Sequence, residues 1–151
     1  EKQNVDVSRI IDDVKSSIAV YPPEKQMRIN VKVPEGVVIN GNESLVESIF
    51  SNLVNNSIAY SGGRDIFISL DEETPEYYRF TFADNGVGVS EEHINRLFER
   101  FYRVDEGRSR KVGGTGLGLA IVKNAVLFHQ GTISVKNRHA GGLEFTFTLH
   151  K

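Results

Sequence analysis

The sequence predicts a single two-layer α/β (α+β) sandwich, in which a mixed, largely antiparallel sheet carries three main helices packed on one face. Three observations lead there. Three segments place apolar residues at helical spacing, and a fourth, shorter one does the same. Six or so segments alternate apolar and polar residues, and most follow one another through hairpin-like turns. The chain's 151 residues, 39% hydrophobic and 25% charged, describe one ordinary globular domain long enough to bury a core.

Taken in order, Asp6 can cap a helix that runs to about Val20, with Val7, Ile10, Ile11, Val14 and Ile18 on one side. Pro22-Pro23 ends it. Residues 27–33 alternate as a strand, Pro34-Glu35-Gly36 turns the chain, and residues 37–39 form a short second strand. Asn40-Gly41-Asn42 is a turn and a cap, and Ser44 with Glu47 also fits a capping box. The next helix, to about Tyr60, carries Leu45, Val46, Ile49, Phe50, Leu53, Val54 and Ile58 on one broad arc. Residues 65–70 and 77–83 are strands joined by a charged hairpin turn over 71–76, and Tyr78, Phe80 and Phe82 share one face. Ser90-Glu91-Glu92 caps a short helix through Ile94, Leu97, Phe98 and Phe101. A third main helix follows the glycines at 113–118, with Gly131 as its C′ residue. Residues 132–135 are a strand and 137–142 a hairpin loop. Leu143, Phe145, Phe147 and Leu149 then face inward on a half-buried final strand.

Composition excludes several classes of function. A net charge of −2 gives no general case for binding nucleic acid or a membrane surface. Without cysteine there are no disulfides, thiolate metal sites or cysteine nucleophiles. No apolar run approaches the roughly 18 residues of a membrane span, and no signal peptide or internal repeat is visible. The polar opening Glu1-Lys2-Gln3-Asn4, which lacks a Met, suggests a piece of something longer.

Four stretches carry candidate chemistry. The first is Gly113-Gly114-Thr115-Gly116-Leu117-Gly118-Leu119, where a basic loop runs into glycines that open a helix. Helix-initiating N–H groups lack internal partners and favour an anion, so the arrangement suits phosphate; a mobile loop with a tight helix start is the plainer account. No Gly-Lys-Ser/Thr triplet is present, which removes a P-loop, and the charged run before the glycines removes a dinucleotide fingerprint. The second is Asn52, Asn55 and Asn56, three poor helix formers within five positions. Asn52 and Asn56 are one turn apart at the edge of the apolar arc. They are either solvated or an amide ligand for Mg²⁺; Asn55 reads as surface. The third is Asp84-Asn85-Gly86-Val87-Gly88-Val89, a carboxylate where a strand ends. It is either a simple turn or an acceptor for an exocyclic amine, with glycines that admit a flat base. The fourth is Phe98-Glu99-Arg100-Phe101-Tyr102-Arg103, whose Phe98 and Phe101 read as core plugs. Arg103 and Arg108 flank a loop, where they are solvated or reach phosphate.

Together and in order, these stretches resemble the ATP-binding catalytic domain of bacterial sensor histidine kinases, within the GHKL superfamily, whose fold is of the Bergerat type. Residues 52–56 resemble the N box, 84–88 the first G box, 98–103 the F box, and 114–119 the second G box. The F box separates histidine kinases from other GHKL members. The resemblance implies ATP and Mg²⁺ as cofactors. It implies that Asp84 binds the adenine amino group, with Gly86 and Gly88 giving room and Val89 against the ring. Asn56 would ligate Mg²⁺ beside Asn52, Tyr60 would wall the nucleotide, and Phe98 is counted with that site. Gly114, Thr115, Gly116, Leu117, Gly118 and Leu119 would contact phosphates, as would Arg103 and Arg108, and residues 104–114 would form the ATP lid. The implied partners are a dimerisation and phosphoacceptor hairpin outside this sequence and a cognate response regulator. The implied setting is a cytoplasmic domain of an inner-membrane sensor.

Two departures stand out. Ala59 occupies a position before Tyr60 where family members often carry Lys or Arg. None of the four histidines is followed by an acid, so the phosphoacceptor is missing. The first departure keeps open a degenerate or binding-only regulatory module.

Overall fold

The computed structural model describes residues 2–102 and 117–151. Strand β1 (Gln3–Asp6) leads into helix α1 (Val7–Ser17). Asp6 caps that helix by accepting from the Arg9 N–H at 3.1 Å. Valine and isoleucine at positions 7, 10, 11 and 14 face inward, as their spacing requires. The α-helix stops at Ser17, and a single 3₁₀ turn, Ile18–Val20, completes the helical segment.

The main sheet contains β2 (Arg28–Lys32), β4 (Asp65–Glu73), β5 (Tyr77–Asp84), β6 (Ile133–Asn137) and β7 (Leu143–His150) in the order β2-β4-β5-β7-β6. Only β2 and β4 pair in parallel; the other three pairings are antiparallel. That parallel pair needs a crossover. It is supplied by β3 (Val38–Gly41) and helix α2 (Glu43–Tyr60). Short α3 (Glu91–Ile94) and then α4 (Gly118–Phe128) complete the described helices.

Helix α2 packs against both α1 and α4, and the helical layer covers one face of the sheet. Its Phe50 meets Phe80 edge-on at 5.9 Å and Phe147 at 5.7 Å, while Phe80 and Phe147 stack at 5.5 Å. The opposite face is polar, with Arg28 in a bidentate pair with Asp65 and Arg138 over the Phe67 ring at 4.9 Å. The two-layer, largely antiparallel expectation is met, including the inward rows Tyr78, Phe80, Phe82 and Leu143, Phe145, Phe147, Leu149.

Several expectations are corrected. Gln3–Asp6 forms a strand that pairs antiparallel with β3 in a separate two-stranded sheet. The polar opening hid it, since only Val5 is buried. At the start of α2 the cap is Asn42, whose Oδ1 accepts from the Leu45 N–H at 3.0 Å; Ser44 lies inside the helix. Strand β4 runs on to Glu73 past an irregularity between Leu70 and Glu72. Asp71 there accepts from the hydroxyls of Ser69 and Thr81, which lets a charged residue continue a strand. The short α3 stops at Ile94, and Phe101 sits on solvent, 63% exposed at φ 66°, so it is no core plug.

At the end of α4 the left-handed C′ residue is Gln130 (φ 58°), not Gly131. The Gly131 N–H bonds the Val126 carbonyl and the Gln130 N–H that of Leu127, which is a Schellman closure. Gly131 is needed for a different reason: a Cβ there would lie 1.9 Å from the Thr148 carbonyl oxygen.

Candidate functional site

The site is built where the C-terminal half of α2, the end of β5 and the start of α4 converge. Helical spacing stacks Asn52, Asn56 and Tyr60 on one side of α2, all half-buried. Asn52 donates from Nδ2 to the Ser48 carbonyl at 2.8 Å. Its Oδ1 faces Gly118 so closely that a Cβ on that glycine would sit 3.2 Å away. Two stretches distant in sequence thus meet at the first turn of α4. The Asn56 side chain has no hydrogen-bond partner among the described residues. Asn55 is exposed, as expected, and accepts from the Tyr21 hydroxyl at 2.9 Å.

Asp84 ends β5 and is 2% exposed. A buried carboxylate needs partners, and it has three. Its Oδ1 accepts from the Gly86 N–H at 2.9 Å and the Leu143 N–H at 3.3 Å. Its Oδ2 accepts from the Ser57 hydroxyl at 3.0 Å. Ser57, itself 1% exposed, directly follows Asn56 on α2. The carboxylate is therefore a built feature, beyond what a simple turn requires.

The loop after β5 is locked to its surroundings. Val87 N–H bonds the Ser61 carbonyl at 2.9 Å. Asn85 accepts from the N–H groups of Arg64 and Asp65, both at 2.9 Å. Hydrogen bonding and charge from Arg28 hold the Asp65 carboxyl below its ordinary range, and so does Asn85. At both glycines the direction a side chain would take is occupied by protein. A Cβ at Gly86 would lie 2.3 Å from the Ser61 carbonyl oxygen, and one at Gly88 (φ 70°) 2.5 Å from Asn137 Oδ1. Asn137 also ties both backbone groups of Val89, accepting at 3.0 Å and donating at 2.7 Å.

Of the sequence-predicted residues, Asn52, Asn56, Tyr60, Asp84, Gly86, Gly88, Val89, Leu117, Gly118 and Leu119 lie on these three converging elements and their loops. Phe98 packs edge-on against Phe145 at 6.1 Å, with Lys123 Nζ 5.9 Å from its ring, and so belongs to the core margin. Arg103, Arg108, Gly114, Thr115 and Gly116, with the whole of the expected lid, lie outside the described residues. Sequence reasoning missed Ser57, Ser61, Asn85 and Asn137. For Ser57 a signal existed, since it is a polar residue one turn beyond Leu53 on the apolar arc. Asn137 had none, because its partners are 46 and 48 positions away.

Comparison with known proteins places this geometry. A family model described as histidine kinase-, DNA gyrase B- and HSP90-like ATPase matches residues 41–151. The chain belongs to that family. Among its relatives, the sensor-like histidine kinase SenX3 of Mycolicibacterium smegmatis is 38% identical over 96% of this chain and 38% of that protein. The phosphate regulon sensor protein PhoR of Haemophilus influenzae is 43% identical over 79% of this chain and 28% of that protein. The chain thus spans well under half the length of these relatives. A solved structure of the mycobacterial sensor histidine kinase MprB superimposes with a TM-score of 0.82 at 25% identity, covering 99% of this chain and 97% of that one. No helix among the described residues is long and apolar enough to cross a membrane.

Proposed function

We propose that this ATPase-family domain binds Mg-ATP at the α2–β5–α4 junction and supplies the γ-phosphate to a histidine on a separate helical hairpin. The observation that carries the proposal is the fixed carboxylate of Asp84, which accepts from Ser57, the residue directly after Asn56. An ionised carboxylate only accepts hydrogen bonds, so it selects a ligand that presents a donor such as an exocyclic amine. One solved relative, the full-length histidine kinase ShkA, is in complex with AMPPNP and is 26% identical over 99% of this chain and 31% of that one.

Asn56 fits Mg²⁺ by the chemistry of its donor. It offers a neutral amide oxygen that no described residue occupies, and Mg²⁺ takes few protein ligands, keeping waters and phosphate oxygens. Among the described residues no cluster of three His, Asp or Glu side chains competes for that role. When bound, Mg²⁺ would offset charge on the phosphates. The start of α4 would present N–H groups to them, with Arg103, Arg108, Gly114, Thr115 and Gly116 as further contacts. Phosphoryl transfer has a loose transition state, so positioning and charge stabilisation dominate. The bond from the γ-phosphorus to ADP breaks as one forms to the unprotonated nitrogen of an imidazole, and the proton on the ring's other nitrogen leaves to a carboxylate beside it acting as base. That imidazole belongs to the hairpin, and a response regulator would receive the phosphoryl group next. In the whole protein the domain would lie on the cytoplasmic side of an inner-membrane sensor.

The test is titration of ATP and a non-hydrolysable analogue with and without Mg²⁺, on wild type and Asn56→Ala. The expected result is nucleotide binding that Mg²⁺ strengthens in wild type, with only the Mg²⁺-dependent part lost in the variant. A wild type that binds no nucleotide under either condition overturns the proposal. It would favour the binding-only module that Ala59 suggests.

A further inference from the structure

The geometry points to Ser57 as a residue that sets base selectivity, by holding the Asp84 carboxylate in one orientation with a single acceptor position left for a ligand. The inference rests on the nucleotide-binding reading above. A carboxylate has about four lone-pair sites. Three are used by Gly86 N–H, Leu143 N–H and the Ser57 hydroxyl. The two backbone donors both fall on Oδ1, so the carboxylate can still tilt about that oxygen through small coupled changes of its two side-chain torsions. Ser57 removes that freedom, because its hydroxyl takes Oδ2 from α2, a different element from the other two donors.

The position of Ser57 is itself fixed. It sits mid-core on α2 between Leu53 and Ser61, 1% exposed. The other side of Asp84 is closed by the β6–β7 hairpin, where Gly142 (φ 93°) comes so near that a Cβ would lie 2.5 Å from Oδ1. No other described side chain hydrogen-bonds Asp84. The hydroxyl's one proton is committed to the carboxylate, so it cannot turn to donate to a carbonyl on a base. The remaining Oδ2 position therefore accepts from a ligand amine, and a 6-amino purine matches it where a 6-oxo purine meets acceptor against acceptor. Pre-set orientation contributes to affinity because the ligand need not order the carboxylate on binding.

The readout is a ratio. Dissociation constants for ATP, for inosine triphosphate and for purine riboside triphosphate (hydrogen at C6) are measured on the wild-type domain and Ser57→Ala. Thermal unfolding checks that the variant is folded, and Ser57→Thr restores a hydroxyl. The expected wild type prefers ATP over both analogues. In Ser57→Ala that preference falls about tenfold, the size of one hydrogen bond to a charged group. The fall comes from weaker ATP binding, while the C6-hydrogen analogue binds as before. Ser57→Thr recovers the preference if folded. A variant that weakens all three nucleotides equally has lost only structure, and this overturns the inference; so does an unchanged preference. A wild type that binds no nucleotide fails the broader reading, and one that binds without preferring ATP fails the inference alone.

Discussion

Replacing Asp84 with Asn separates what the carboxylate does for the fold from what it does for a ligand. The amide oxygen of the new side chain can still accept from the Gly86 and Leu143 N–H groups. The amide nitrogen then faces Ser57, whose hydroxyl can rotate to accept from it. Every buried partner stays satisfied, so unfolding free energy should change by less than about 1 kcal/mol. A ligand amine, in contrast, would meet a donor. One charge-assisted hydrogen bond is lost and two donors oppose each other, which costs roughly 3–5 kcal/mol, or a loss of affinity of at least about 100-fold. Asp84→Ala behaves differently, since it strands two backbone N–H groups in a site that is 2% exposed. At about 1–3 kcal/mol for each buried unpaired group, it should lower the melting temperature by roughly 5–15 °C as well as removing binding. The assays are fluorescent-nucleotide titration and thermal unfolding on all three proteins. An Asp84→Asn protein that binds ATP within about threefold of wild type, a difference of about 0.6 kcal/mol, would refute the assignment of Asp84 as the base acceptor.

Two further outcomes test the scaffold. His129 is buried with both ring nitrogens engaged: Nδ1 donates to the Ala125 carbonyl at 2.7 Å, and Nε2 accepts from the Asn42 N–H at 3.0 Å. Burial, with Lys2 nearby, holds its pKa below the ordinary 6.5. The unfolded chain therefore takes up the proton first. The stability from neutral His129 is present above about pH 6.5 and lost as pH falls below it. Urea unfolding from pH 7.5 to 5 should show that loss in wild type and a flatter profile in His129→Gln; equal profiles would exclude His129 as the source. Gly131→Ala should destabilise by roughly 2–3 kcal/mol, since the Thr148 carbonyl belongs to β7 backbone and yields only by moving the sheet. Chemical denaturation reads this directly, and a change below about 0.5 kcal/mol would show that the α4–β6 turn adapts freely.

Local pattern was enough to determine much of this protein. Period-2 rows placed β5 and β7 with the right faces inward, and helical spacing placed α1 and α2, because burial of one face is written directly into residue order. The carboxylate at the end of β5 and the asparagine face of α2 were likewise legible, being polar residues where pattern alone does not ask for them. Tertiary structure decided the rest. Only folding puts Ser57 on Asp84 across 27 positions, Asn137 on Val89 across 48, and His129 on Asn42 across 87. Gly86 and Gly131 were read from sequence as room for a base and as a helix stop. Each is required in the fold by a carbonyl, of Ser61 and Thr148 respectively, that approaches too closely for any side chain. Such constraints depend on which backbone arrives opposite, and a linear pattern of apolar and polar residues does not encode distance between segments.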